Sequence, residues 1–73
     1  MIIDKIHPTE STKVLLAFEA DANSEKAHTL IHGSDKDEAM TAICELAEMV
    51  CDVYDVEPAT LLKALKWYFK GAK

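Results

Sequence analysis

The chain has 73 residues, a mass of 8.1 kDa and a formal net charge of -5, with 13 acidic side chains against 8 basic ones. Hydrophobic residues make up 49% and charged residues 29%, a balance typical of a folded protein rather than a disordered or fibrous one. No apolar run is long enough to span a membrane, and the first residues lack the pattern of a secretory signal. We therefore expect one domain, residues 1–73, without a membrane segment.

The N-terminal segment, residues 1–11, contains three isoleucines before Pro8. Proline has no N–H to donate to a β-ladder, so Pro8 should end any strand that begins there. The segment is therefore predicted to form either a short third strand or an arm that packs on the rest of the chain.

Residues 12–33 predict an antiparallel β-hairpin. Two stretches, 13–20 and 26–32, are rich in β-branched, aromatic and apolar residues. The residues between them, 21–24, have the small and polar side chains that are typical of a turn. Because a two-stranded hairpin is marginally stable by itself, we expect a helix against one of its faces.

The register of this hairpin is predicted from a symmetric loop, which would place Glu19 opposite Lys26, a favourable pair of opposite charges. One sheet face then carries Val14, Leu16 and Phe18 and is the predicted core side. The opposite face mixes apolar and polar side chains, which makes it a candidate partner-binding surface formed by Lys13, Leu15, His28, Leu30 and His32.

Two helices are predicted after the hairpin. The first spans residues 34–54, with Ser34 as its N-cap and acidic side chains in its first turn. The second spans residues 57–70, with Pro58 at the first helical position, where proline is tolerated, and Gly71 as its stop. The predicted fold class is therefore α+β, with the order ββαα and both helices packed on one sheet face.

The first helix has a narrow polar edge. Apart from the few polar residues that form this edge, all positions from 39 to 53 are apolar. Such a helix must be covered on two sides. A chain this short buries only roughly 60% of its surface on folding. Cys44 and Cys51 cannot supply a disulfide, since seven residues of helix separate them by about 10.5 Å and a disulfide needs about 7 Å or less. We therefore expect a homodimer with two-fold symmetry.

No motif for catalysis, a cofactor or a metal is present. His28 and His32 lie about 13 Å apart along one strand, too far to share a metal ion. There is no glycine-rich phosphate loop and no nucleophile elbow. An acidic chain without arginine is also poorly suited to bind nucleic acid directly. We expect no enzymatic activity, no cofactor, no metal and no nucleic-acid or membrane partner.

The predicted function is protein–protein contact by a small regulatory or accessory module that acts as a homodimer and has a further, unidentified protein partner. Free thiols favour the reducing cytoplasm as its location. Trp67 and Tyr68 on the second helix are typical interface anchors and join the mixed sheet face as candidate partner-binding residues. In size and order of elements alone, the chain is similar to small accessory proteins of bacteria and their phages.

An acidic decoy is the alternative function. It would occupy a basic nucleic-acid-binding surface of a partner protein through the carboxylates on the polar edge of the first helix, which are Glu38, Glu45, Glu48 and Asp52. The two hypotheses differ in their dependence on salt, because screening weakens charge pairs but leaves an apolar contact almost unchanged.

Overall fold

The structure, a computed structural model, describes residues 1–71. Residues 72 and 73, with which the predicted domain ends, lie outside the described residues. An antiparallel two-stranded hairpin is followed by two helices, which confirms the α+β class and the ββαα order. The elements in chain order are a 3₁₀ helix at Ile2–Lys5, here called the N-terminal arm, then β1 at Leu15–Glu19, β2 at His28–His32, α1 at Lys36–Tyr54 and α2 at Pro58–Gly71.

The chain forms two compact units, and their boundary lies inside α1. The sheet unit, Met1–Ala42, contains the N-terminal arm, the hairpin and the first turns of α1. The helix unit, from Ile43 onward, contains the rest of α1 and α2. The packing of both helices on one sheet face, and a single domain over the whole chain, stay predictions.

The hairpin register differs from the predicted one by two residues. Leu16 lies opposite Ile31, and Glu19 lies opposite His28 rather than Lys26. Since side chains alternate with a period of two, a shift of two residues leaves every side chain on its predicted face. The predicted sheet face of each side chain is therefore confirmed, whereas the predicted cross-strand pairs are wrong.

The loop explains this shift. The Asn23 N–H donates to Asp21 Oδ1 at 2.7 Å, and the Ser24 N–H donates to the Asp21 carbonyl at 3.1 Å, so the turn closes early in the loop. The Ser24 hydroxyl then donates to the Lys26 carbonyl at 2.9 Å. Lys26 therefore belongs to the loop, and the ladder begins two residues later than a symmetric turn would allow.

The N-terminal arm is not a third strand; within residues 1–71 the sheet has two strands. The Ile2 N–H donates to Glu19 Oε2 at 3.2 Å, and the Ile3 N–H donates to Glu19 Oε1 at 2.8 Å. The first N–H groups of a helical segment have no partner within it, so this carboxylate acts as their cap. The side chain of Glu19, rather than a strand backbone, therefore determines the conformation of the arm.

The arm lies on the mixed face of the sheet. Glu19 projects from the same face as Ala17 and Leu30, which are half-buried, and Ile3 of the arm is buried at 8% exposure. On the other face, the predicted core side, Phe18 is 69% exposed and Ile31 is 77% exposed. Within the sheet unit the arm therefore covers the mixed face, a contact that the sequence analysis did not foresee, and the predicted core side stays a prediction.

Gly33 ends β2 in a conformation that only glycine adopts easily. Its φ is 107°, and a Cβ placed there would overlap the backbone carbonyl of Lys13. The close approach of these two backbone segments therefore requires the absence of a side chain at Gly33.

The N-cap of α1 is Asp35 and not Ser34, one residue later than predicted. The Glu38 N–H donates to Asp35 Oδ1 at 3.1 Å, and the Ala39 N–H donates to the Asp35 carbonyl at 3.0 Å. Both serine and aspartate are good N-cap residues. Only the backbone geometry after Gly33 decides which of the two caps the helix.

A left-handed residue joins the two helices. Asp55 has φ 53°, and the Val56 N–H donates to the Cys51 carbonyl at 3.0 Å, the hydrogen bond of a Schellman C-cap. The Glu57 carbonyl then accepts the first hydrogen bonds of α2. α1 ends at Tyr54, as predicted, but begins at Lys36 rather than at residue 34. α2 begins at Pro58, one residue after the start of its predicted span, and includes Gly71, which was predicted to stop it.

Candidate protein-binding site

The helix unit exposes a row of apolar side chains on α1. They follow a spacing of three, four and three residues, which places them on one face of a helix. They are between 39% and 68% exposed, and we call them the apolar seam: Ile43, Leu46, Val50 and Val53. The wide apolar sector was apparent from the sequence, whereas this narrower seam was identified only from the exposed fractions.

A groove lies between the last turns of α1 and the first turns of α2. We call it the elbow groove; its volume is about 480 Å³. The Schellman turn at Asp55 connects the two helices that form its walls, and both lie in the helix unit. Apolar side chains dominate the lining and two carboxylates accompany them: Ala47, Glu48, Cys51, Asp52, Pro58, Leu61, Leu62 and Leu65. The sequence analysis missed this groove because its two walls belong to different helices, whose relative direction depends on the turn.

The last part of α2 carries three consecutive aromatic side chains. Trp67, Tyr68 and Phe69 are between 68% and 74% exposed. The rings of Tyr68 and Phe69 meet edge to face, with centroids 6.4 Å apart and planes at 90°. Lys66 and Lys70 line the same open surface as Trp67 and Phe69. We call residues 66–70 the aromatic end.

The predicted partner-binding residues are divided between the two units. On the sheet, Lys13, His28 and His32 are exposed, whereas Leu15 and Leu30 are half-buried on the face that the arm occupies. Trp67 and Tyr68 belong to the exposed aromatic end of the helix unit. The role of all seven residues in binding a partner stays a prediction.

The carboxylates of the alternative hypothesis are exposed. Glu45, Glu48 and Asp52 lie in the helix unit at a spacing that places them along one edge of α1, while Glu38 belongs to the sheet unit. Within residues 1–71, none of them forms an ion pair with a lysine. Their charge is therefore available to a partner of positive charge.

The structure offers no metal-binding cluster among residues 1–71, since no three His, Cys, Asp or Glu side chains are grouped closely enough to hold an ion. Neither helix, over its described length, is both long and apolar enough to cross a membrane. Comparisons of the chain with models of protein families, with curated proteins and with solved structures find no match.

Proposed function

We propose that the chain is a small, non-enzymatic interaction module that acts by protein–protein contact, as a homodimer, in the cytoplasm and in a regulatory or accessory role. One observation carries this proposal: within the described part of the helix unit no side chain is buried, while large apolar side chains are exposed on both helices. Monomeric proteins rarely leave extended apolar surface in water. The free thiols of Cys44 and Cys51 support a reducing compartment.

The number of exposed apolar side chains supports the homodimer. Complete burial of one large apolar side chain contributes about 1.5–3 kcal/mol, so a half-exposed one still offers about 1 kcal/mol. A micromolar dimer requires about 8 kcal/mol, which corresponds to about four such side chains from each copy before the cost of association. The helix unit offers more than this, with Met49, Tyr54, Leu62, Leu65 and the aromatic end in addition to the apolar seam.

The open face of the sheet supports a second part of the proposal. Phe18 and Ile31 are exposed there, and a two-stranded hairpin gains stability when a helix covers its apolar face. We propose that this face receives an amphipathic helix, in agreement with the predicted packing of the helices on the sheet. The wide apolar sector of α1 can cover the sheet with one side and still leave another side for a second copy.

Sedimentation velocity over a range of micromolar protein concentrations tests the homodimer. We expect a species of twice 8.1 kDa that persists at both about 50 mM and about 500 mM salt, because apolar contacts are not screened. A single species of 8.1 kDa throughout this range would rule out the homodimer.

The carboxylates on the polar edge of α1 support the decoy as a second candidate function, since they are exposed and lack lysine partners within residues 1–71. Capture of partner proteins from a lysate of the source cell, at low and at high salt, separates the two functions. A decoy should capture basic proteins at about 50 mM salt and lose them at about 500 mM. The paired variant Glu45→Gln with Asp52→Asn should also lose them, whereas partners held by apolar contact should remain bound in all these conditions.

A further inference from the structure

We infer that the elbow groove of one copy receives the aromatic end of a second copy, and that the second groove receives the first aromatic end in return. The α2 helices of the two copies then run antiparallel about a two-fold axis near Leu65. This inference rests on the proposed homodimer and specifies the two surfaces that meet in it.

Continuity along α2 supports this pairing. Leu61 and Leu65 line the elbow groove, and Phe69 follows at the same spacing of four residues, on the same face of the helix. The first part of this face lies in the groove of its own chain, while Phe69 lies beyond it and is 68% exposed. The face that lines the groove therefore continues into a part of α2 that has no cover within the described residues.

Two-fold symmetry brings the aromatic end of each copy to the elbow groove of the other. In an antiparallel pair of α2 helices with its axis near Leu65, Phe69 of each copy lies beside Leu61 of the other, because both are four residues, about 6 Å, from the axis. Tyr68 lies beside Leu62 by the same argument. Each groove would then be filled by aromatic side chains, which bury more apolar area than any others.

Charge complementarity identifies the occupant as a second copy. Glu48 and Asp52 accompany the apolar lining of the groove and lie four residues apart on one edge of α1. Lys66 and Lys70 accompany the rings of the aromatic end with the same separation. No ion pair joins these carboxylates to these lysines within residues 1–71. When an aromatic end enters the groove of another copy, its two lysines approach two carboxylates, and the symmetry repeats the contact.

A charge exchange between two variants tests this interface. The first variant carries Glu48→Lys with Asp52→Lys, and the second carries Lys66→Glu with Lys70→Glu. Each variant alone places like charges together at both grooves, so we expect its dimer dissociation constant to rise at least tenfold. In a mixed dimer both grooves again face opposite charges, so an equimolar mixture should recover dimers of wild-type affinity. Sedimentation velocity at about 50 mM salt, with one variant labelled by a fluorophore, measures both effects.

Matched controls separate a specific interface from a general effect of charge. Glu45→Lys and Lys63→Glu make the same changes on the same helices at positions that line neither surface, and they should leave the dissociation constant unchanged. Phe69→Ala should raise that constant at least tenfold, whereas Met40→Ala, at an exposed apolar residue of α1 that lines neither surface, should change it less than twofold. Circular dichroism of each variant checks that both helices remain folded.

The outcomes distinguish this inference from the proposed function. A monomeric wild-type chain overturns both. A wild-type dimer that both charge variants also form, or that their mixture fails to restore, overturns this interface and leaves the homodimer intact. Dissociation by Val50→Lys together with no effect of Phe69→Ala would likewise overturn it, and would place the contact on the apolar seam.

Discussion

The sheet unit and the helix unit of this chain are specified in different ways. In the sheet unit, single polar groups determine the geometry: the Glu19 carboxylate holds the N-terminal arm, and Asp21 closes the turn. In the helix unit, a repeated apolar pattern and two end signals determine the helices, and no described side chain there is buried. A change at one residue should therefore disturb the sheet unit abruptly, whereas the helix unit should respond in small steps.

The largest expected effect is that of Gly33→Ala. The new Cβ overlaps the Lys13 carbonyl, and φ of 107° is unfavourable for alanine, so we expect a loss of about 3 kcal/mol or more. Urea unfolding at a fixed protein concentration measures this loss. The matched control is Gly71→Ala at the end of α2, where an added Cβ has open space and stability should not fall. Equal stability of the two variants would contradict a strict glycine requirement at Gly33.

Glu19→Ala should have the next largest effect. It leaves the N–H groups of Ile2 and Ile3 without their acceptor, which should cost about 2 kcal/mol. We expect amide exchange at Ile3 to accelerate by about 30-fold, the factor that corresponds to this free energy. Glu25→Ala, an exposed loop residue of the same type, should leave this exchange rate unchanged. Unaltered protection of Ile3 in the Glu19 variant would show that the arm does not depend on the carboxylate.

Asp35→Ala removes the N-cap of α1 and should lower the free energy of unfolding by about 1 kcal/mol. For a domain of this size the melting temperature should fall by about 4–8 °C. Ser34→Ala, at the neighbouring serine, should change the stability by less than about 0.5 kcal/mol. A larger loss of stability from Ser34→Ala than from Asp35→Ala would show that Ser34 is the N-cap.

The smallest expected effect is a gain. Asp55→Gly places glycine at the left-handed position between the helices, where it is preferred, and should raise stability by about 0.5 kcal/mol. Glu45→Gly, within α1, should lower it by about 1 kcal/mol because glycine is a poor helix former. In thermal unfolding we expect the melting temperature to rise for Asp55→Gly and to fall for Glu45→Gly. Equal losses of stability in both variants would contradict the C-cap at Asp55.

The hairpin shows how far a pattern of side chains can predict structure. Alternation predicted both strands and the face of every residue, but a register shifted by two residues has the same alternation. The pattern therefore could not distinguish Glu19 opposite Lys26 from Glu19 opposite His28, which the loop hydrogen bonds decide. The candidate site was likewise predicted only in part. Trp67 and Tyr68 were predicted as interface anchors, but the elbow groove was not predicted.

The sequence by itself determined the kinds of elements, their order and most of their ends, because helical periodicity, strand alternation and Pro58 act within a few residues of the chain. Only the tertiary structure decided which sheet face the N-terminal arm covers and where a groove opens between the helices. Those features depend on groups far apart in the sequence, such as Glu19 and Ile3, which lie 16 residues apart and meet only when the backbone folds.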